Sequence, residues 1–364
     1  MRGVKLELPL SKCYIFDSLK SMKTAAGNDT ALVRDRICAI FPGALGDFVC
    51  FLPALRILAR DAEVDLFARG EFAALVPRRV AAHSLERPEV RNLFVEDEAA
   101  LESLQAFFGA YSAVYSWLGS QQKEFVRRLQ RVAPGKARIF PFAPTHAGLH
   151  QTDYYLGCLN LSALAGAQPV IKLDRHEAAW CDRFFSLHNL HRRPILAMAA
   201  GSGAREKNWP EEFFLAVAEW WRDRIGGAIV LFVGPVEEER GGIERLYRQC
   251  VVVRGLSLSQ VAALIARSHV YLGNDSGVSH VAATTGVRSV VLFGPSAAER
   301  WAPRGRKVEI LSRNIECSPC SDRVMKNCSH RSCLTAFDSK EVIRFLARLP
   351  EILTLTRTRP GITV

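Results

Sequence analysis

The sequence predicts two doubly wound α/β domains of similar size, facing each other across a central cleft. Three observations lead there. A strand–helix rhythm runs from residue 36 to residue 131, an irregular stretch follows between 141 and 192, and the rhythm restarts at Pro194. Strand followed by helix, repeated, gives a mostly parallel sheet covered on both faces. A length of 364 residues suits two ordinary domains better than one. In such sheets ligands bind beyond the carboxyl ends of the strands, so the cleft between the domains is the place to look for chemistry.

Residues 1–35 read as an N-terminal extension, with short apolar runs at Leu6–Leu10 and Cys13–Phe16. The first domain is expected over 36–190. Its strands are Ile37–Phe41, Val64–Ala68, Val80–Ala82, Leu93–Val95 and Ala113–Trp117, and its helices Asp47–Arg60, Glu98–Phe108, Gln121–Arg131 and Tyr154–Leu164. Each strand is a short apolar run, and the first helix carries apolar residues at helical spacing. The second domain is expected over 191–350. Its strands are Ile195–Ala199, Ala228–Val233, Val251–Val253, Val270–Leu272, Ser289–Phe293 and Val308–Leu311. Helices follow Pro210 and span Glu237–Gln249, Ser257–Ala266, Ser276–Thr285 and Ser339–Leu349. Pro210 with Glu211 and Glu212 suits a helix start. Residues 351–364 read as a tail.

A composition of 49% hydrophobic and 23% charged residues is globular, not disordered. No apolar run is long enough to span a bilayer, and the opening residues lack the apolar core of an export signal, so a cytoplasmic location is expected. The net charge of +11 favours anionic company, such as phosphorylated substrates or a membrane surface. The aromatic-and-basic pattern of common RNA modules is missing, and no nucleic-acid partner is expected.

Five local features could carry chemistry. In the first, a strand gives way through Asn274-Asp275 to a helix opening at Ser276-Gly277, with His280 one turn on. The unpaired N–H groups of that turn and the helix dipole make a phosphate site. Asp275 would cap the helix or orient a donor. The alternative is an ordinary turn with a core-facing histidine. The second is Gly43-Ala44-Leu45-Gly46-Asp47. It is a poor match to the dinucleotide fingerprint. Asp47 could take a proton from a hydroxyl, or serve only as a helix cap. The third is Arg205-Glu206-Lys207-Asn208-Trp209-Pro210, whose cations could neutralise a diphosphate or simply face solvent. The fourth is the acidic run Glu237-Glu238-Glu239, just past a strand end. One of its members could bind ribose hydroxyls, or all three could favour a helix start.

The fifth feature is Cys317, Cys320, Cys328 and Cys333, with His330 able to replace one of them. Four thiols in so short a stretch suit a structural zinc or iron ion. The alternative is a loop of reduced or paired thiols.

Together these residues resemble the ADP-heptose–lipopolysaccharide heptosyltransferases, glycosyltransferase family 9. Gly43-Ala44-Leu45-Gly46-Asp47-Phe48-Val49 with Leu52-Pro53-Ala54 is similar to that family's N-terminal motif. Lys207-Asn208-Trp209-Pro210 is similar to its Lys-Arg-Trp-Pro element. Asn274 to Ala283, Gly286 and Leu292-Phe293-Gly294-Pro295 are similar to its C-terminal signature. The resemblance implies the GT-B fold, with acceptor held mainly by the first domain and ADP-sugar mainly by the second. It implies inversion at the anomeric carbon without a catalytic metal. Asp47 would be the general base and Lys207 a diphosphate contact. Gly43, Gly46, Asp275, Ser276, Gly277 and His280 would belong to the nucleotide site, with Glu239 as the ribose contact.

The implied donor is an ADP-activated sugar. The implied acceptor is a phosphorylated glycan or glycolipid, with peripheral contact to the inner membrane. The cysteine cluster also resembles the iron-binding motif of related autotransporter heptosyltransferases, which raises a protein as the acceptor. A non-catalytic nucleotide-sugar or nucleic-acid binding protein is the third reading, against which Asp47 speaks.

Overall fold

The computed structural model describes residues 35–144, 148–313 and 315–357. The expected N-terminal extension lies outside them, apart from residue 35. Residues from Asp35 onward form one compact unit built on two sheets.

The first sheet contains β1 (Arg36–Ile40), β2 (Glu63–Ala68), β3 (Val80–Ser84), β4 (Ala113–Ser116) and β5 (Ala137–Ile139), in the order β3-β2-β1-β4-β5. The second contains β6 (Ile195–Ala199), β7 (Ala228–Phe232), β8 (Val251–Val253), β9 (Val270–Asn274), β10 (Arg288–Phe293) and β11 (Val308–Ser312), in the order β11-β10-β9-β6-β7-β8. Every pairing is parallel. The central strands β6 and β9 are buried throughout, as continuous apolar runs in a sheet covered on both faces should be.

The strand orders fix where ligands can bind. In the first sheet the winding reverses between β1 and β4, and in the second between β6 and β9. The crevices at such reversals lie beyond the carboxyl ends of those strands. They are occupied by residues 41–47 after β1, 200–209 after β6 and 275–277 after β9.

Three helices hold those segments. Helix α1 (Leu45–Asp61) buries Phe48, Phe51, Leu52 and Leu55 among others. Phe51 stacks on Phe41 at 4.4 Å between ring centroids and meets Trp117 edge-on at 4.7 Å. Helix α2 (Gln151–Cys158) packs along α1, bringing Tyr155 to the same aromatic cluster. Helix α3 (Gly277–Thr284) belongs to the second half yet packs directly on α1.

Several elements differ from expectation, each for a physical reason. Leu93–Val95 is not a strand. Pro88 opens a short helix there, and the chain passes into a 3₁₀ turn at Asn92–Phe94 that buries Leu93. The expected helix over Glu237–Gln249 stops at Arg240, because Gly241 and Gly242 adopt φ of 65° and 95°. Strand β5 has only three residues, with a charged Arg138 at its centre, and offers no apolar run to find. Residues Arg175–Leu187 form a helix that begins with an Asp174/Glu177 capping box. It packs on the second half, where the Cys181 thiol reaches the Ala263 carbonyl at 3.6 Å and Asp182 pairs with Arg267 at 2.8 Å. The expected tail begins as a helix, Pro350–Arg357, with Ile352 fully buried.

Phe51 has no exposed surface and lies within the aromatic cluster under the first crevice. Phe51→Ala should therefore destabilise the chain by about 3–5 kcal/mol, read as a lower urea midpoint.

Candidate active site

The site begins with a helix start that needs glycine. A Cβ on Gly43 would lie 2.5 Å from the Phe41 ring and 2.7 Å from Asp47 Cβ. The absent side chain lets the chain turn sharply from β1 into α1. Asp47 then sits in the first turn of α1, and its Oδ2 accepts the Ala44 N–H at 3.0 Å. The capping alternative is thus present, but it uses one oxygen. Oδ1 makes no hydrogen bond among the described residues. Burial pushes the Asp47 carboxyl above its ordinary pKa, although the Ala44 N–H and the cations Lys207, Arg300 and Arg69 oppose this. A carboxylate that is partly desolvated and has an unused oxygen is suited to take a proton.

Lys207 comes from the other side of the cleft, on a 3₁₀ turn after β6. Its Nζ lies 2.9 Å from Asp275 Oδ2, and Asp275 is almost fully buried. Asn274, at the end of β9, ties this corner together. Its Oδ1 accepts the Trp209 N–H at 3.0 Å and its Nδ2 donates to the Ala200 carbonyl at 2.7 Å. The loops after β6 and β9 are therefore held at a fixed spacing by one buried amide.

Ser276 is the N-cap of α3, and its side chain makes no capping bond. The Ser279 N–H donates to the Ser276 carbonyl at 3.1 Å, which leaves the Gly277 and Val278 N–H groups for a ligand. A Cβ on Gly277 would come within 2.7 Å of Leu45 Cβ, so α1 and α3 touch at their N-termini. Gly46 makes the matching approach, where an added Cβ would lie 3.1 Å from the His280 ring. His280 is packed in this seam, with Nδ1 3.7 Å from Cys50 Sγ. Burial drives its pKa down to about 4, so the ring is neutral near pH 7. It fills the joint between the helices and is no cation for a phosphate.

The acidic run after β7 resolves differently from expectation. Glu239 is exposed. Glu237 instead turns inward: its Oε2 accepts the Gly234 N–H at 2.9 Å, and a Cβ on Gly201 would sit 2.0 Å from its Oε1. Burial raises its pKa. The Gly-x-x-Glu spacing at a helix start was the signal that separates it from its neighbours. Arg69 and Arg300, two of the cations that oppose the rise in the Asp47 pKa, were not singled out as site residues: Arg69 stands alone in the sequence, and Arg300 belongs to a basic run with Arg304, Arg306 and Lys307 that reads equally as surface.

The cysteine cluster does not form the expected zinc or iron site. Among the described residues no group of three or more His, Cys, Asp or Glu side chains gathers to hold a metal. The Cys320 thiol donates to the Cys317 carbonyl at 2.9 Å, Cys328 Sγ accepts the Arg331 N–H at 3.4 Å, and Cys333 is buried in the second core. His330 bonds Ser332 instead. The segment acts as a brace for the site loops. Ser318 Oγ donates to the Gly294 carbonyl at 2.7 Å, Cys320 N–H to Pro295 at 2.8 Å, and the Arg331 guanidinium to Arg205 at 3.3 Å.

The state of His280 has a measurable consequence. The folded imidazole binds a proton only near pH 4, whereas the unfolded one does so near 6.5. Its contribution to stability is complete above pH 6.5 and is lost as pH falls from there toward 4. Urea midpoints should fall over this window, by up to about 3 kcal/mol in stability, and His280→Asn should flatten the fall.

Comparison with known proteins follows this geometry. The profile of glycosyltransferase family 9 (heptosyltransferase) matches residues 160–330, which contain the Lys207 loop, Glu237 and the α3 start. Lipopolysaccharide heptosyltransferase 1 of Pseudomonas aeruginosa is 27% identical over 139 residues, 38% of this chain and 38% of that protein. Lipopolysaccharide heptosyltransferase 2 of Escherichia coli is 29% identical over 152 residues, 39% of this chain and 42% of that protein. The matched stretch spans about two fifths of the length of these relatives.

Among solved structures, the family 9 glycosyl transferase of Veillonella parvula aligns with a TM-score of 0.68 at 19% identity, covering 91% of this chain and 100% of that one. The ADP-heptose lps heptosyltransferase II of E. coli aligns with a TM-score of 0.65 at 19% identity, covering 88% and 99%. These likenesses show the fold, two parallel α/β sheets in the GT-B arrangement. The profile match and the relatives show that this chain is similar to glycosyltransferase family 9 over part of its length.

Proposed function

We propose that the protein is an inverting glycosyltransferase that moves a heptosyl group from an ADP-activated heptose to a hydroxyl of a lipopolysaccharide-core acceptor. Residues 36–190 would hold the acceptor and residues 191–350 the donor. The observation that carries this reading is the half-buried Asp47 carboxyl, with one oxygen unused and Lys207 of the Lys207–Asp275 pair among the cations acting on it.

In the proposed reaction, Asp47 takes the proton of the acceptor hydroxyl as its oxygen attacks the anomeric carbon. The bond from that carbon to the diphosphate breaks on the opposite face, and ADP leaves with the electron pair. Lys207 and the N–H groups at Ser276–Gly277 meet the charge that develops on the diphosphate. Asp275 holds Lys207 at its post. Glu237, in place of Glu239, is the acid proposed for the ribose hydroxyls, by its inward position beside Gly201. Gly43 and Gly46 serve by their lack of side chains, and His280 by filling the joint.

A core glycan is favoured over a protein acceptor. The iron-type cysteine motif that raised a protein acceptor gathers no ligand set among the described residues. No helix among them is long and apolar enough to cross a membrane. The net charge of +11 suits peripheral contact with an anionic glycolipid surface at the cytoplasmic face of the inner membrane.

Asp47→Asn should lower transfer by about 10²–10⁴-fold while binding of ADP-heptose stays near wild type. Lys207→Ala should weaken donor binding and slow transfer together. Because Asp47 must be ionised, the rate should fall on acidification with a midpoint above the ordinary aspartate value of 3.8. Wild-type turnover by Asp47→Asn with ADP-heptose and a core acceptor would remove the base assignment.

A further inference from the structure

We propose that the open edge of β11 takes up an extended, acidic segment of a partner protein as an added strand. The proposal does not depend on the transfer site.

β11 is the edge strand of the second sheet and pairs there with β10 alone, in parallel. Hydrogen bonding alternates along such a pair. The Ser289 N–H donates to the Lys307 carbonyl at 2.9 Å, so Lys307, Glu309 and Leu311 turn their backbone groups toward β10. Val308, Ile310 and Ser312 turn theirs outward, where they meet no backbone partner among the described residues. Each of them offers one N–H and one carbonyl to an incoming strand.

A groove of about 310 Å³ lies beside this edge. Ile310 and Leu311 of the strand line one side. Val342 and Phe345 of the helix Ser339–Ala347 line the other, together with Phe337. A segment laid along β11 would set alternate side chains toward that apolar wall, so backbone bonds give affinity and the groove gives preference.

Charge selects the occupant. The acids around the groove are already engaged: Glu309 with Arg288 at 2.6 Å, Glu351 with Arg288 and Lys307 at 3.4 Å each, and Glu341 with Arg313. Arg344 and Arg348 line the groove, and Arg306 lies just ahead of the strand. All three are exposed, and none makes an ion pair among the described residues. The surplus is cationic, and guanidinium groups match carboxylates. A second copy of this chain fits poorly. Two β11 edges paired antiparallel about Ile310 would set Arg306 and Lys307 of one copy against Arg313 of the other. Cations flanking an edge deter self-pairing and leave it to a partner of opposite charge.

The test is fluorescence polarisation with the full chain and a labelled hexapeptide of alternating glutamate and valine. The comparison peptides are the same sequence N-methylated at every amide and an alternating lysine–valine hexapeptide. The acidic peptide should bind the wild type, and each comparison peptide should bind more weakly by about tenfold or more. Arg344→Glu with Arg348→Glu leaves the strand intact and should lose the acidic peptide. Ile310→Pro removes an outward N–H at an edge, where proline is tolerated, and should also weaken its binding. Thermal midpoints report folding, and the double variant decides alone if the proline variant does not fold. A wild type that fails to bind the acidic peptide would overturn the proposal. So would equal binding of either comparison peptide, or undiminished binding by the double variant. Light scattering addresses the other occupant: a wild-type dimer that Ile310→Pro converts to a monomer would overturn the proposal by assigning the edge to a second copy.

Discussion

The close packing of α1 on α3 is the constraint on which the site depends. Leu45 and Gly46 of the first half meet Gly277 and His280 of the second, with no room for a β-carbon on Gly277 and only a tight fit for one on Gly46. That contact sets two helix starts side by side, one bearing Asp47 and the other bearing free N–H groups. The proposed proton acceptor and the proposed anion cradle are then brought to one seam, although 230 residues separate Cys50 from His280 within it. Larger residues at these positions would wedge the halves apart before they altered any polar group.

Electrostatics follow from that packing. Burial penalises the charge on Asp47, and the nearby cations partly offset the penalty. The same burial keeps His280 neutral, so the joint itself carries no charge. Lys207 would be free to swing without Asp275, and Asp275 would be an unpaired buried carboxylate without Lys207. Asn274 and the brace from residues 315–337 prevent the two loops from moving independently.

Much of this was legible in the sequence, because apolar runs followed by helical patterns dictate a parallel sheet, and glycines with an acid at a strand end mark its ligand side. The family resemblance supplied the GT-B pairing and the roles of Asp47 and Lys207. What escaped detection was three-dimensional. Glu237 and Glu239 look alike in a run of three acids, and only the turn at Gly234 points one of them inward. Arg69 carries no local pattern. The cysteine spacing suggested a metal, but spacing says nothing of where the thiols point, and Cys333 is turned into the core. His280 was legible as part of a motif, yet its burial against Gly46 could be seen only once both halves were assembled.

Hydrogen–deuterium exchange of the full chain with and without ADP-heptose tests the joint site most directly. Added donor should slow exchange together at residues 43–49, 201–209 and 275–281, the three segments that converge where α1 meets α3. Protection confined to one half, or confined to segments away from these three, would contradict a site built across that contact.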